Sequence, residues 1–160
     1  MYKLLIVDDE KLVRSSISTI IDWHSLGFTE VYEAEDGEQA LEIALDKKPN
    51  LILTDIKMPF MDGLELTKQV KKYLPTSYIV ILSGYDEFEL AQDAIALGVK
   101  DYILKPIGAK TLYNKIAQLC KEINLENDQR NYLTKMKTQL HQSLPLLRER
   151  LLNMLICTPG

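Results

Sequence analysis

The sequence predicts an α/β protein, a doubly wound parallel sheet of five strands followed by a C-terminal helical extension. Three observations carry this. Five short apolar runs, at residues 3–7, 31–34, 51–54, 78–82 and 101–104, alternate with helix-length amphipathic segments. The first, third and fourth runs are nearly continuous aliphatics, as strands buried on both faces require. After Pro106 nothing strand-like recurs.

Each connecting segment has its own helical signal. Leu12, Ile17, Ile20 and Ile21 make the stripe of the first, and Ala40, Leu41, Ile43 and Ala44 that of the second. Leu64, Leu66 and Val70 mark the third, and Leu90, Ala91, Ala94 and Ile95 the fourth. Asp36 before Gln39 reads as an N-cap, Thr76-Ser77 as a turn into the fourth strand, and Gly98 as a helix stop. Right-handed crossovers then put helices on both faces of the sheet.

The last segment differs. From Ala109 to about Gln142 there is neither proline nor glycine, and Leu112, Ile116, Leu119 and Ile123 supply a core-facing stripe. Beyond it Leu133, Leu140, Leu144, Leu147, Leu151 and Met154 recur by threes, fours and sevens as a weak heptad seam, with Lys137 in an apolar slot. Pro145 after Ser143 is expected to break this helix and start a second one. The seam fits packing on the domain's own surface, dimerisation or a signalling helix. The ending at Cys157-Thr-Pro-Gly160 reads as a cut ahead of another domain.

The 160 residues are 46% hydrophobic and 26% charged, with a net charge of −4, which suits a globular chain and excludes a general basic field for nucleic acid or membrane surfaces. The apolar runs fall far short of the roughly 20 residues that span a bilayer, and Asp8, Asp9 and Glu10 interrupt any leader, so a cytoplasmic location is expected. Cys120 and Cys157 lie far apart without a CxxC partner, and reduced thiols are expected. His24 and His141 are lone histidines read as structural or surface residues.

Ligands of doubly wound sheets bind beyond the carboxyl ends of the strands. There the sequence places Asp8, Asp9, Asp55, Ser83 and Lys105. Each alone could cap a helix or turn, or lie on the surface. Together they converge on one crevice, where three carboxylates repel unless a hard cation such as Mg²⁺ sits among them. A hydroxyl and an ammonium group beside them suit a tetrahedral anion, so the chemistry indicated is phosphoryl transfer to a carboxylate.

These residues also form a signature. Leu5-Ile-Val-Asp-Asp-Glu10, Asp55-Ile-Lys-Met-Pro59 with Met61-Asp62-Gly63, Ser83-Gly84 and Lys105-Pro106 resemble the receiver domain of bacterial two-component response regulators, from residue 2 to about 123. The resemblance implies a flavodoxin-like fold with strand order 2-1-3-4-5, and Asp55 as the phosphoacceptor that takes its phosphoryl group from a sensor histidine kinase. It implies Mg²⁺ held by Asp9, Asp55 and the main-chain carbonyl of Lys57, with Asp8 acting through a metal-bound water. Ser83 is expected to bond a phosphoryl oxygen, Lys105 to pair with the phosphoryl oxygens, the Lys105-Pro106 peptide to be cis, and Tyr102 to be the aromatic switch. The face from Glu87 to Leu97 with Tyr102 and Leu112 to Leu119 is expected to change its partner preference. Lys57 and Tyr85, two positions after Asp55 and Ser83, are expected to prolong the phosphoryl lifetime.

Ser83-Gly-Tyr-Asp-Glu-Phe88 and Asp22-Trp-His-Ser-Leu-Gly-Phe28 resemble the subtype joined to an AraC-type helix-turn-helix DNA-binding domain. That reading divides the chain into a receiver, residues 1–123, and a helical linker or dimerisation segment, residues 124–160, leading to an output domain absent here. DNA contact is then expected only through that domain, and a homodimer through the C-terminal helix or the Tyr102 face. One alternative is a stand-alone receiver acting by protein–protein binding, which should end near Ile123. Another is an aspartyl-phosphate phosphohydrolase, but Ile56 and Lys57 follow Asp55 where such an enzyme has an acid two positions on. Self-phosphorylation and slow self-dephosphorylation are the only reactions expected of the chain itself.

Overall fold

A computed structural model of the protein describes residues 2–84, 88–105 and 108–157, the side chains of Phe88, Ala91 and 141–157 excepted. In chain order the elements are β1 (Tyr2–Val7), α1 (Lys11–Ile20), a 3-10 turn (His24–Leu26), β2 (Phe28–Ala34), α2 (Gly37–Lys47), β3 (Leu51–Asp55), α3 (Gly63–Tyr73), β4 (Tyr78–Ser83), α4 (Phe88–Ala96), β5 (Asp101–Leu104) and α5 (Ala109–Cys157). All strand pairs are parallel and the order is β2-β1-β3-β4-β5, as the sequence predicts.

Two compact units divide the chain, Met1–Asn114 and Lys115–Gly160. In the first, the aliphatic runs form the buried middle of the sheet. Leu5 and Val7 join Ile52, Ile56, Leu66, Val70, Ile79, Ile81 and Ala94 in one cluster, and Leu4 and Ile6, on alternate positions, are equally buried. Two helices start as their sequences direct. Asp36 accepts from Gln39 N at 2.7 Å and Asp62 from Glu65 N at 2.8 Å, each carboxylate satisfying a free donor of the first turn. Gly98 stops α4 with a φ of 96°, a left-handed conformation open to glycine.

Three local expectations are corrected. β2 begins at Phe28, three residues before the predicted start, because Gly27 turns the chain at φ 95° and Phe28 is buried edge-to-face on Trp23 at 5.6 Å. The α1 stripe is not a sealed core face: Ile21 is buried, but Leu12 and Ile20 are 82% and 60% exposed. With Val13, Ile17, Leu82 and Leu112 they line an open apolar groove of about 360 Å³. The third correction is Pro145, which does not break the helix; α5 runs through it to Cys157. Proline removes one N–H from the ladder, and the bonds of the flanking turns carry the helix across the gap.

In the second unit Ile116, Leu119, Cys120 and Ile123 are buried, whereas Leu125, Tyr132, Leu133, Met136 and Leu140 are exposed. Glu126 and Arg130 pair along the helix at 3.9 Å. The seam positions from Leu144 onward lie outside the described side chains. Among the described residues no helix is long and apolar enough to cross a membrane.

Candidate functional site

The winding of the sheet reverses between β1 and β3, which opens a crevice at their carboxyl ends. Asp8 and Asp9 follow β1 directly, Asp55 and Ser83 are the last residues of β3 and β4, and Lys105 follows β5. The register aligns these ends: Val7 pairs with Thr54, Asp55 with Leu82, and Ser83 with Leu104. The Lys105 N–H donates to Ser83 O at 2.7 Å, so the loop after β5 is tied to the end of β4.

Asp8 is 1% exposed, and each of its carboxylate oxygens accepts a hydrogen bond. Its main-chain N–H donates to Ala34 O at 3.1 Å, Oδ1 accepts from Glu10 N at 2.9 Å, and Oδ2 accepts from Lys105 Nζ at 2.9 Å. Lys105 Nζ also lies 3.4 Å from Asp55 Oδ2, while Asp55 Oδ1 accepts from Ile56 N at 2.8 Å. Asp9 is exposed. One carboxylate oxygen from each of Asp8, Asp9 and Asp55 lies within 4.8 Å of the other two.

Burial alone lowers the pKa of the Lys105 ammonium, but its bond to Asp8 and the charges of Asp55 and Asp8 outweigh that and raise it above the ordinary 10.5. The ammonium is therefore a fixed positive charge at neutral pH. Ser83 is fully buried at the end of β4, and among the described residues its Oγ has no hydrogen-bond partner. Lys57 is exposed two positions beyond Asp55. Tyr102 is half-buried, packs against the core cluster and stands opposite Ile81. Tyr85 and the Lys105-Pro106 peptide fall outside the described residues.

Three further residues shape the site: Gly63 stands in the signature without an assigned role, and Gly37 and Arg14 were not singled out. A Cβ on Gly63 would lie 2.3 Å from Asp55 O, and one on Gly37 would lie 2.3 Å from Met61 O. These approaches press the first turns of α3 and α2 onto the loop that follows Asp55. The recurring Asp-Gly pair, Asp36-Gly37 and Asp62-Gly63, is the sequence signal that marks them. The third is Arg14, whose Nη1 donates to Asp8 O at 2.5 Å; a cation six positions beyond an acid that follows a strand was its only trace.

An all-oxygen donor set of three clustered carboxylates fits a hard divalent cation such as Mg²⁺. The free hydroxyl and the fixed ammonium fit the oxygens of a tetrahedral anion.

A family model described as the response regulator receiver domain matches residues 4–117. The chain is 36% identical over 140 residues to the Bacillus subtilis (strain 168) uncharacterized transcriptional regulatory protein YesN, covering 88% of this chain and 38% of that one. It is 35% identical over 131 residues to the transcriptional regulatory protein HptR of Staphylococcus aureus (strain N315), covering 82% and 51%. The chain thus spans about half or less of the length of these relatives. Among solved structures, it matches the REC domain of AraT, a response regulator from Geobacillus stearothermophilus, at 43% identity with a TM-score of 0.73, covering 80% of this chain and 98% of that one. A two component transcriptional regulator AraC from Clostridium phytofermentans ISDg matches at 34% identity and a TM-score of 0.72, covering 81% and 99%.

Proposed function

The chain belongs to the response regulator receiver domain family, and from that premise we propose that it is a phosphorylation-driven switch whose acceptor is Asp55. The observation that carries this is the Asp8, Asp9, Asp55 cluster bonded to Lys105 beside the free Ser83 hydroxyl.

In the proposed reaction an Asp55 carboxylate oxygen forms a bond to the phosphorus of a phosphohistidine on a sensor kinase. The phosphorus–nitrogen bond breaks, and the imidazole leaves with the electron pair. Asp9, Asp55 and the Lys57 carbonyl are the proposed ligands of Mg²⁺, with Asp8 acting through a metal-bound water. When bound, the ion neutralises the acids and draws charge from the phosphoryl oxygens. Lys105 pairs with a phosphoryl oxygen and Ser83 donates to another. The move of Ser83 toward the new dianion frees space that the Tyr102 ring enters, which shifts the population between two packings of that face.

The receiver is assigned to residues 1–123 and the linker to 124–160. The relatives named as transcriptional regulators support a transcriptional output in the full-length protein, and those named AraT and AraC support an AraC-type DNA-binding domain. Sensor kinase contact, DNA contact through that domain, a homodimer through the C-terminal helix or the Tyr102 face, and a cytoplasmic location complete the reading.

The test is intact-mass spectrometry after incubation with Mg²⁺ and a small phosphodonor, beside Asp55→Asn. The expected result is one phosphoryl adduct on the parent, none on the variant, and none when the metal is chelated. An adduct of equal yield on both proteins would remove Asp55 from the acceptor role.

A further inference from the structure

Arg14 ties together the segment that carries two of the three acids. Its Nη1 donates to the main-chain O of Asp8 at 2.5 Å, and its own N–H donates to Glu10 O at 3.2 Å. Asp9 therefore sits between two residues fastened to one arginine. Asp8 is fastened a second time through its N–H to Ala34 O of β2, and Glu10 through its N–H to Asp8 Oδ1. Beside Ala34, Glu33 lies 3.7 Å from Arg14 Nε, a pairing longer than a hydrogen bond, and among the described residues that buried Nε has no hydrogen-bond partner. The Arg14 side chain is only 12% exposed, so it is held in a wall of α1, β2 and the turn rather than waving in solvent.

The Arg14 charge repels a divalent cation bound at the adjoining acids but attracts the acids themselves and Glu33, so charge alone does not fit it to the cation. What the guanidinium fork adds is geometry. We propose that Arg14 is a positioning residue that pre-sets the Asp8-Asp9 turn for a divalent cation, an inference that rests on the reading of this cluster as a Mg²⁺ site. The planar fork is what lets one side chain bond Asp8 O while directing Nε at Glu33, and a lysine ammonium offers no such second direction. With the turn held, Asp9 meets the cation without first ordering its own backbone.

The sign of the effect separates positioning from charge. The 160-residue chain, Arg14→Ala and Arg14→Lys are titrated with Mg²⁺ by calorimetry, and phosphorylation by a small phosphodonor is timed across the same Mg²⁺ range. Positioning predicts that Arg14→Ala raises the half-saturating Mg²⁺ about tenfold, the usual scale for losing a group that orients a metal ligand. The rate at saturating Mg²⁺ then returns to that of the parent, a split that a general loss of structure does not produce. Arg14→Lys keeps the charge and falls between the two. A folded Arg14→Ala that binds Mg²⁺ as tightly as the parent, or more tightly, would overturn the proposal. Should Arg14→Ala not fold, Arg14→Lys decides it: parent-like half-saturation overturns positioning, and weakened binding with an intact saturated rate upholds it. A parent that takes up no Mg²⁺ would overturn the metal reading itself, and the proposal with it.

Discussion

The Lys105 ammonium is bonded at 2.9 Å to a carboxylate of Asp8 that is 1% exposed. Removing the cation leaves a buried charge with one fewer partner, in a site where Asp55 and Asp9 already repel it. Lys105→Met is therefore expected to lose about 2 kcal/mol when Mg²⁺ is chelated, less than a fully buried pair because the lysine keeps some solvent contact. Mg²⁺ bound at these acids, as proposed, is expected to replace the missing positive charge and so to stabilise the variant more than the parent. The pKa of Lys105 is raised on folding above its ordinary 10.5. Its contribution is thus fully present below that value and lost as pH rises through the folded value above it. Urea midpoints across a pH series check both points: the parent shows this alkaline loss and Lys105→Met lacks it. A variant as stable as the parent in chelator would show that the pair contributes nothing.

Gly63 leaves no room for a side chain. Its Cβ would stand 2.3 Å from Asp55 O and 3.0 Å from Ile56 Cα, both main-chain atoms that cannot swing aside. Gly63→Ala should cost about 2 kcal/mol, within the range for overpacking. It should also displace Asp55 and slow phosphorylation from a small donor. Asp62→Ala, which removes the neighbouring N-cap without crowding, is expected to cost about 1 kcal/mol and leave that rate unchanged. Equal rates in Gly63→Ala and the parent would show that the approach of α3 does not position Asp55.

The fold and the acid cluster were legible because both depend on strand ends. The aliphatic runs fixed where β1, β3, β4 and β5 stop to within one residue, and the order followed from the resemblance. Asp8, Asp55, Ser83 and Lys105 then met because parallel strands aligned in register bring their carboxyl ends together. Legibility failed where a residue's role depends on which neighbour arrives. Leu12 and Ile17 belong to one periodic stripe, yet Leu12 is 82% exposed and Ile17 only partly so. The contacts of Gly37 with Met61 and of Arg14 with Asp8 cross between elements, and no local pattern specifies them.

Pro145 lies within α5. A proline in a helix interior forgoes one hydrogen bond and costs about 3 kcal/mol. Pro145→Ala should leave the helix content measured by circular dichroism unchanged, since the residue is already helical, while raising the temperature at which the tail melts. A gain of helix on substitution would instead mean that the parent helix stops there in solution.

Phe60 holds a φ of 68° and is 85% exposed, so a bulky residue occupies a left-handed conformation without burial to offset it. Such a backbone costs about 1 kcal/mol or more in a residue with a side chain, and glycine escapes it. Phe60→Gly is accordingly expected to stabilise the protein by about 0.5 kcal/mol, the strain relieved exceeding the extra chain entropy of glycine. Phe60→Ala keeps the strain and loses only an exposed ring, so it should leave stability unchanged. Lys48, at φ 52° where α2 ends, is the internal comparison, because Lys48→Gly relieves the same strain away from the acid cluster. If urea denaturation shows Lys48→Gly stabilised and Phe60→Gly destabilised, the Phe60 ring makes contacts that its exposure conceals. If both gain, the loop after Asp55 retains a strained residue that the fold itself does not require.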